Sequence, residues 1–148
     1  MSILNALDVS ASGLTASRVQ LDVTSENLAN AQTTRTAAGG PYQRKTVVLQ
    51  SADGGQGFGT TLASAMGGSA GAARGVQVAA ITPHPAPPRM VYDPGHPDAN
   101  ADGYVAMPAI DSVTEMVDLI AASRGYEANV TAMQSAKQMF TRTLDLLR

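Results

Sequence analysis

Cysteine and tryptophan are both missing from the 148 residues, and the aromatic complement is two Phe and four Tyr. Without cysteine there are no disulfides, no thiolate nucleophile and no Cys-based zinc site. Without large aromatics the core has to be assembled from Ala, Val, Leu and Met. An excess of positive charge is also lacking: ten Lys and Arg stand against twelve Asp and Glu, and Arg44-Lys45 is the only adjacent basic pair. That balance is not the footprint of a protein whose partner is nucleic acid or an anionic membrane, so no nucleic-acid partner is expected. No run approaches the ~20 apolar residues that span a bilayer. The amino terminus has no basic residue before Arg18 and no apolar h-region, so no Sec-type signal is expected. On composition alone such a chain reads as one cytoplasmic folding unit with room for a sizeable core.

Helix breakers are scarce at both ends, where Gly13 and Gly125 are the only ones. All eight Pro lie between Pro41 and Pro108, and twelve of the fourteen Gly between Gly39 and Gly103. The chain therefore divides into an amino-terminal arm (1–32), a central insert (33–108) and a carboxyl-terminal arm (109–148). In the first arm Leu7, Leu14, Leu21 and Leu28 recur every seven residues, with Ile3, Ser10, Ser17 and Thr24 completing a four-three seam. This predicts a helix from Ile3 to Asn30, roughly 40 Å long. Val9, Ala16 and Val23 lie on the opposite side, so both faces require a partner.

In the second arm the seam runs Met116, Leu119, Ser123, Tyr126, Val130, Met133, Lys137, Phe140, Leu144, Leu147 without a slip. Pro108 and the Ser112-x-x-Glu115 pattern predict a capping box at its start. Acids lead (Asp111, Glu115, Asp118) and bases close (Lys137, Arg142, Arg148), as the helix dipole favours. Gly125 is either a weak spot costing about 1 kcal/mol or a place where another helix comes close.

Strand-like runs at 42–49, 75–81, 89–93 and 103–107 predict a small antiparallel sheet, and the Gly-rich stretch 53–75 reads as a flexible loop. The expected fold is mainly α: two long terminal helices paired as an antiparallel, coiled-coil-like couple, with a small β and irregular insert between them.

The candidates for chemistry are thin. The glycines at 51–59 match neither the dinucleotide fingerprint nor the P-loop. His84 and His96 are the only histidines; Asp93, Asp98 and Asp102 near His96 lack the spacing of a metalloenzyme motif. No G-x-S-x-G elbow presents a nucleophile. The six acids from Asp93 to Asp118 read as solvated surface, and the Asn129-Val-Thr131 sequon falls in a helix. No enzyme, no cofactor, no metal and no small-molecule substrate are expected.

One longer pattern is specific. The segment Val9 to Gln32, centred on Asn27-Leu28-Ala29-Asn30, resembles the amino-terminal signature of the flagellar basal-body rod and hook axial family. Ser25-Glu26 depart from its Ala-Asn-Asn-hydrophobic-Ala-Asn run. At the other end Ala122 to Val130, with Ser123, Arg124, Tyr126 and Asn129, resembles the family's carboxyl-terminal helix motif. Gly40 to Lys45, Val91 to Pro97 and Gly103 to Pro108 are similar to its short proximal rod members. The resemblance implies a non-enzymatic subunit exported without a cleaved signal by the flagellar type III apparatus. It further implies assembly in the basal-body rod, across the periplasm, with copies of itself, other rod subunits and an adaptor to the ring or export gate. The assembly interface would use Leu7, Leu14, Leu21, Leu28, Met116, Leu119, Tyr126, Val130, Met133, Phe140 and Leu144. Three rival readings remain: another axial subunit or ring adaptor, a cytoplasmic coiled-coil regulator or secretion chaperone, and a cell-wall enzyme.

Overall fold

The structure is a computed structural model that describes residues 3–37, 39–52 and 75–146. The expected loop lies outside the described residues up to Gly75, whose carbonyl accepts the Ala52 amide at 2.7 Å. Helix α1 covers Ile3–Ala29 and helix α2 covers Ser112–Leu146. Between them come β1 (Lys45–Ser51), β2 (Val76–Pro83), β3 (Arg89–Tyr92) and β4 (Tyr104–Met107). The two helices and a small antiparallel β insert are as the sequence predicts.

Helix α1 stops where Asn30 folds back: its Nδ2 donates to the Glu26 carbonyl at 2.9 Å, and its Oδ1 accepts the Thr33 hydroxyl at 3.1 Å. The Ser10 hydroxyl, on the leucine seam, donates to the Ala6 carbonyl of its own helix at 2.9 Å. A hydroxyl satisfied in this way leaves the seam less polar than its sequence suggests.

The predicted capping box at α2 does not form. Asp111 caps the helix instead: Oδ1 accepts the Val113 amide at 3.1 Å, Oδ2 the Thr114 hydroxyl at 2.8 Å, and the main-chain carbonyl the Glu115 amide at 3.0 Å. Its carboxyl is held below the usual range chiefly by the Thr114 hydroxyl and then by the Val113 amide. Asp111 occupies the position a residue earlier than the box requires and releases Glu115 to turn inward.

The single predicted sheet is two separate ribbons, β1-β2 and β3-β4. Pro83 ends β2 and Pro85, Pro87 and Pro88 lie between it and β3, and residues without an amide donor cannot continue a ladder. The β1-β2 pair runs antiparallel, with Ala52 bonded to Gly75 at one end and the His84 amide to the Arg44 carbonyl at the other. In the second ribbon Arg89 faces Met107 and Tyr92 faces Tyr104. Val105 is fully buried and Val91 half-buried, while Met90, Tyr92 and Tyr104 are exposed on the other side. Gly103 has φ +81°, and a Cβ there would sit 2.9 Å from the Tyr92 ring, so the turn requires glycine for both reasons.

The acids expected at a solvated surface have structural work. Asp98 accepts the Thr34 hydroxyl at 2.8 Å, Asp93 accepts the Gly95 amide, and His96 Nδ1 accepts the Asp98 amide.

The chain forms two compact units. One comprises Met1–Arg18, Leu49–Ala79 and Arg124–Arg148, the other Val19–Val48 and Ala80–Ser123. In the first, a Cβ on Gly13 would meet the Asn129 side chain at 2.9 Å and one on Gly125 would meet Ser17 Oγ at 3.6 Å. Four residues forward on α1 match four back on α2, so these helix segments cross antiparallel over small residues. Ala16, Ser17 and Ala136 are the buried residues there. The second unit buries Val23, Asn27, Ala31, Tyr42, Val105, Ile110 and Glu115, with Ala31, Tyr42 and Ile110 in one apolar cluster.

Candidate assembly site

The most organised polar feature lies in the second unit and is built from the end of α1, the entry to β1 and the first turn of α2. Asn27 is 1% exposed. Its Nδ2 donates to the Lys45 carbonyl at 2.9 Å and to Glu115 Oε2 at 3.2 Å. Its Oδ1 accepts the Lys45 amide at 2.9 Å and the Tyr42 hydroxyl at 3.1 Å. One side chain therefore uses both amide hydrogens and both oxygen lone pairs.

Glu115, also 1% exposed, has its charge balanced by Arg44, whose Nε binds Oε1 while Nη2 reaches Asp118 at 3.1 Å. A buried carboxylate is tolerated when it is paired and its remaining lone pairs are bonded, and both conditions hold. Lys45 Nζ binds Glu26 at 2.6 Å and lies 5.9 Å from the centre of the Tyr42 ring. The Glu26 bond raises the Lys45 pKa above its usual value. Burial raises that of the Tyr42 hydroxyl, and the Glu26 charge adds to the effect. Sequence reasoning missed Tyr42, Arg44, Lys45 and Glu115 as a group. The available signal was an acid three residues into a helix that follows a separate Asp cap, together with the lone Arg-Lys pair.

The motif residues separate by burial. Asn27 is enclosed, Leu28, Asn30, Ser123 and Asn129 are half-buried, and Ala29, Arg124 and Tyr126 are exposed. Asn129 donates to the Gly125 carbonyl at 3.0 Å. Among the interface candidates Leu7, Leu14, Leu21, Leu28, Leu119, Val130 and Met133 are half-buried, whereas Met116, Tyr126, Phe140 and Leu144 are exposed. On α1 the set opposite the leucines goes deeper, with Ala16 and Val23 both buried. Among the described residues no group of three or more His, Asp or Glu is placed to hold a metal ion, and no helix is long and apolar enough to cross a membrane.

Known proteins match at both ends and throughout. Residues 7–35 match the family described as flagella basal body rod protein, and residues 101–146 that described as flagellar basal body rod FlgEFG protein C-terminal. The flagellar basal-body rod protein FlgC of Bacillus subtilis is 49% identical over 150 residues, covering 99% of each chain. Its namesake in Borreliella burgdorferi is 39% identical over 153 residues, covering 100% of this chain and 99% of the relative. The one in Salmonella typhimurium is 40% identical over 146 residues, covering 99% and 98%.

Proposed function

Because the chain belongs to the FlgC family of flagellar basal-body rod proteins, we propose that this structural rod subunit polymerises by packing α1 and α2 against the helices of neighbouring subunits. The family is a structural one rather than an enzyme family, and its members are components of the flagellar basal body. The axial alternatives, the cytoplasmic regulator and the cell-wall enzyme are not favoured by relatives of one name aligned along the whole chain.

The observation that carries the packing mechanism is helix α2, along which Val113, Met116, Val117, Ile120, Tyr126, Met139, Phe140 and Leu144 are all exposed. So much apolar surface on one helix marks an interaction site. Heterologous contacts whose rotation does not close a ring repeat from subunit to subunit as an open helical assembly, which is the geometry of a shaft. In the assembly the two helices would form a coiled-coil-like couple through the seams of leucines and of Tyr126, Val130, Met133 and Phe140. The partners are further copies, other rod subunits, the adaptor to the ring or export gate, and the type III export apparatus, with passage to the periplasmic span and no cleaved signal. A tagged chain expressed in swimming cells should co-purify with sheared basal bodies and keep its full mass. Retention in the cytoplasm would contradict the proposal.

A further inference from the structure

The first two turns of α2 carry an apolar stripe that their own unit leaves open. Val113, Met116, Val117 and Ile120 are 63, 47, 59 and 51% exposed. They fall at i, i+3, i+4 and i+7, one face of a helix. Glu115 is buried in the same turn, and at about 100° per residue it points away from that stripe. The second unit, which carries the stripe, is acidic, with eight Asp and Glu against four Lys and Arg. The first unit is basic among the described residues by one charge, with Arg18, Arg124, Lys137 and Arg142 against Asp8, Glu127 and Asp145. Its stretch of α2 holds exposed Lys137 and Arg142 beside exposed Met139, Phe140 and Leu144.

We infer that the stripe Val113–Met116–Val117–Ile120 docks onto the basic carboxyl-terminal stretch of α2, around Met139, Phe140 and Leu144, of a second copy of this chain. Like-with-like pairing of the stripe would oppose two acidic units, whereas head-to-tail pairing sets an acidic unit against a basic one. A head-to-tail contact joins different patches on the two partners, so it leaves a free patch on each end of a pair and repeats as an open helix wherever its rotation does not close a ring. The inference rests on the polymerisation proposed above and adds which surface meets which.

The absence of native cysteine makes the test direct. Val117→Cys and Leu144→Cys are introduced singly and together, both at exposed positions where the fold loses no buried contact. Isolated basal bodies are treated with short and long bis-maleimides. The double variant should give a ladder of oligomers on a denaturing gel, and each single variant should give none. Adding Lys137→Glu and Arg142→Glu should reduce the ladder at least tenfold. A dimer from Val117→Cys alone, an adduct to a different rod protein, or no oligomer with the longer reagent would overturn the inference while leaving a rod subunit in place. Absence of the chain from the basal bodies would overturn the polymerisation reading together with it.

Discussion

The side-chain amide of Asn27 pairs with both main-chain groups of Lys45, accepting its N–H and donating to its C=O, each at 2.9 Å. An amide on a helix thus imitates the next strand of a ladder at the point where β1 begins. Asn27→Ala strands both groups together with the Tyr42 hydroxyl and should cost about 2–4 kcal/mol in urea unfolding. Asn27→Asp removes the two donors and puts a carboxylate beside Glu115, so it should cost more at pH 7, about 3–5 kcal/mol. Because two neighbouring carboxylates raise the pKa of one of them, the Asn27→Asp protein should recover stability as pH falls towards 5 and lose it again as pH rises. A loss in Asn27→Asp no larger than in Asn27→Ala would show that Asn27 and Glu115 are not coupled.

The buried pair is asymmetric, and the asymmetry is measurable. The Glu115 side chain is 2% exposed and that of Arg44 is 30% exposed, with Asp118 as a second partner. Arg44→Met leaves an enclosed carboxylate with only Asn27, a loss of about 3–5 kcal/mol. Glu115→Gln leaves a guanidinium that still has Asp118 and water, and should cost half as much or less. Chemical denaturation of the two variants should rank them in that order.

Gly13 and Gly125 differ although both sit within helices. A methyl on Gly125 would meet Ser17 Oγ at an ordinary 3.6 Å, so Gly125→Ala should gain helix propensity, up to about 1 kcal/mol. On Gly13 it would meet Asn129 at 2.9 Å and force that amide off its bond to the Gly125 carbonyl. Gly13→Ala should therefore release subunits from isolated basal bodies at a lower temperature than Gly125→Ala does.

The two ends of the pH scale act on different groups. Tyr42 and Lys45 have raised pKa values in the folded chain, from ordinary values of 10.0 and 10.5. Their contribution is fully present below those values and is lost as the pH rises through the folded ones. Asp111 is shifted down from 3.8, so its capping contribution is present above that pH and is lost as the pH falls. Unfolding monitored above pH 10 should be less pH-dependent in Lys45→Met, and amide protection at 113–115 should drop first at the acid end.

How far the sequence discloses this arrangement depends on the kind of interaction. The helices were legible because scarcity of Pro and Gly and a periodic apolar pattern are local signals, and α1 ends within one residue of its expected limit. The division of the insert into two ribbons was harder to see, since four prolines inside six residues act by withholding donors from partners distant in sequence. The Asn27 node was illegible for a related reason. A Ser-x-x-Glu start favours a capping box by local geometry, and the groups that draw Glu115 inward, the Arg44 guanidinium and the Asn27 amide, lie 71 and 88 positions away along the chain. Asn27 was singled out by resemblance, and its four bonds supply the physical reason for an amide there: aspartate lacks the donors and leucine lacks everything.

If the chain is exported and assembled as proposed, Phe140→Asp separates the two tasks, because they would draw on different properties of one chain. Phe140 is 41% exposed in the single chain, on a stretch of α2 whose buried neighbours are as small as Ala136. A helix segment burying so little has weak support before it meets its neighbours, and an export-competent chain needs none. An aspartate at 140 should leave export unchanged, since the charge stays in water. In the assembled rod it would become an unpaired charge enclosed between helices, costing several kcal/mol. The variant should reach the exterior in normal amounts, accumulate there as monomer, and yield non-swimming cells without complete rods. Phe140→Leu, which keeps the apolar contact, should restore swimming and so separate the charge from the loss of the ring. Normal swimming of Phe140→Asp cells would mean that this face of α2 stays in water in the rod, and the proposed packing surface would have to be abandoned.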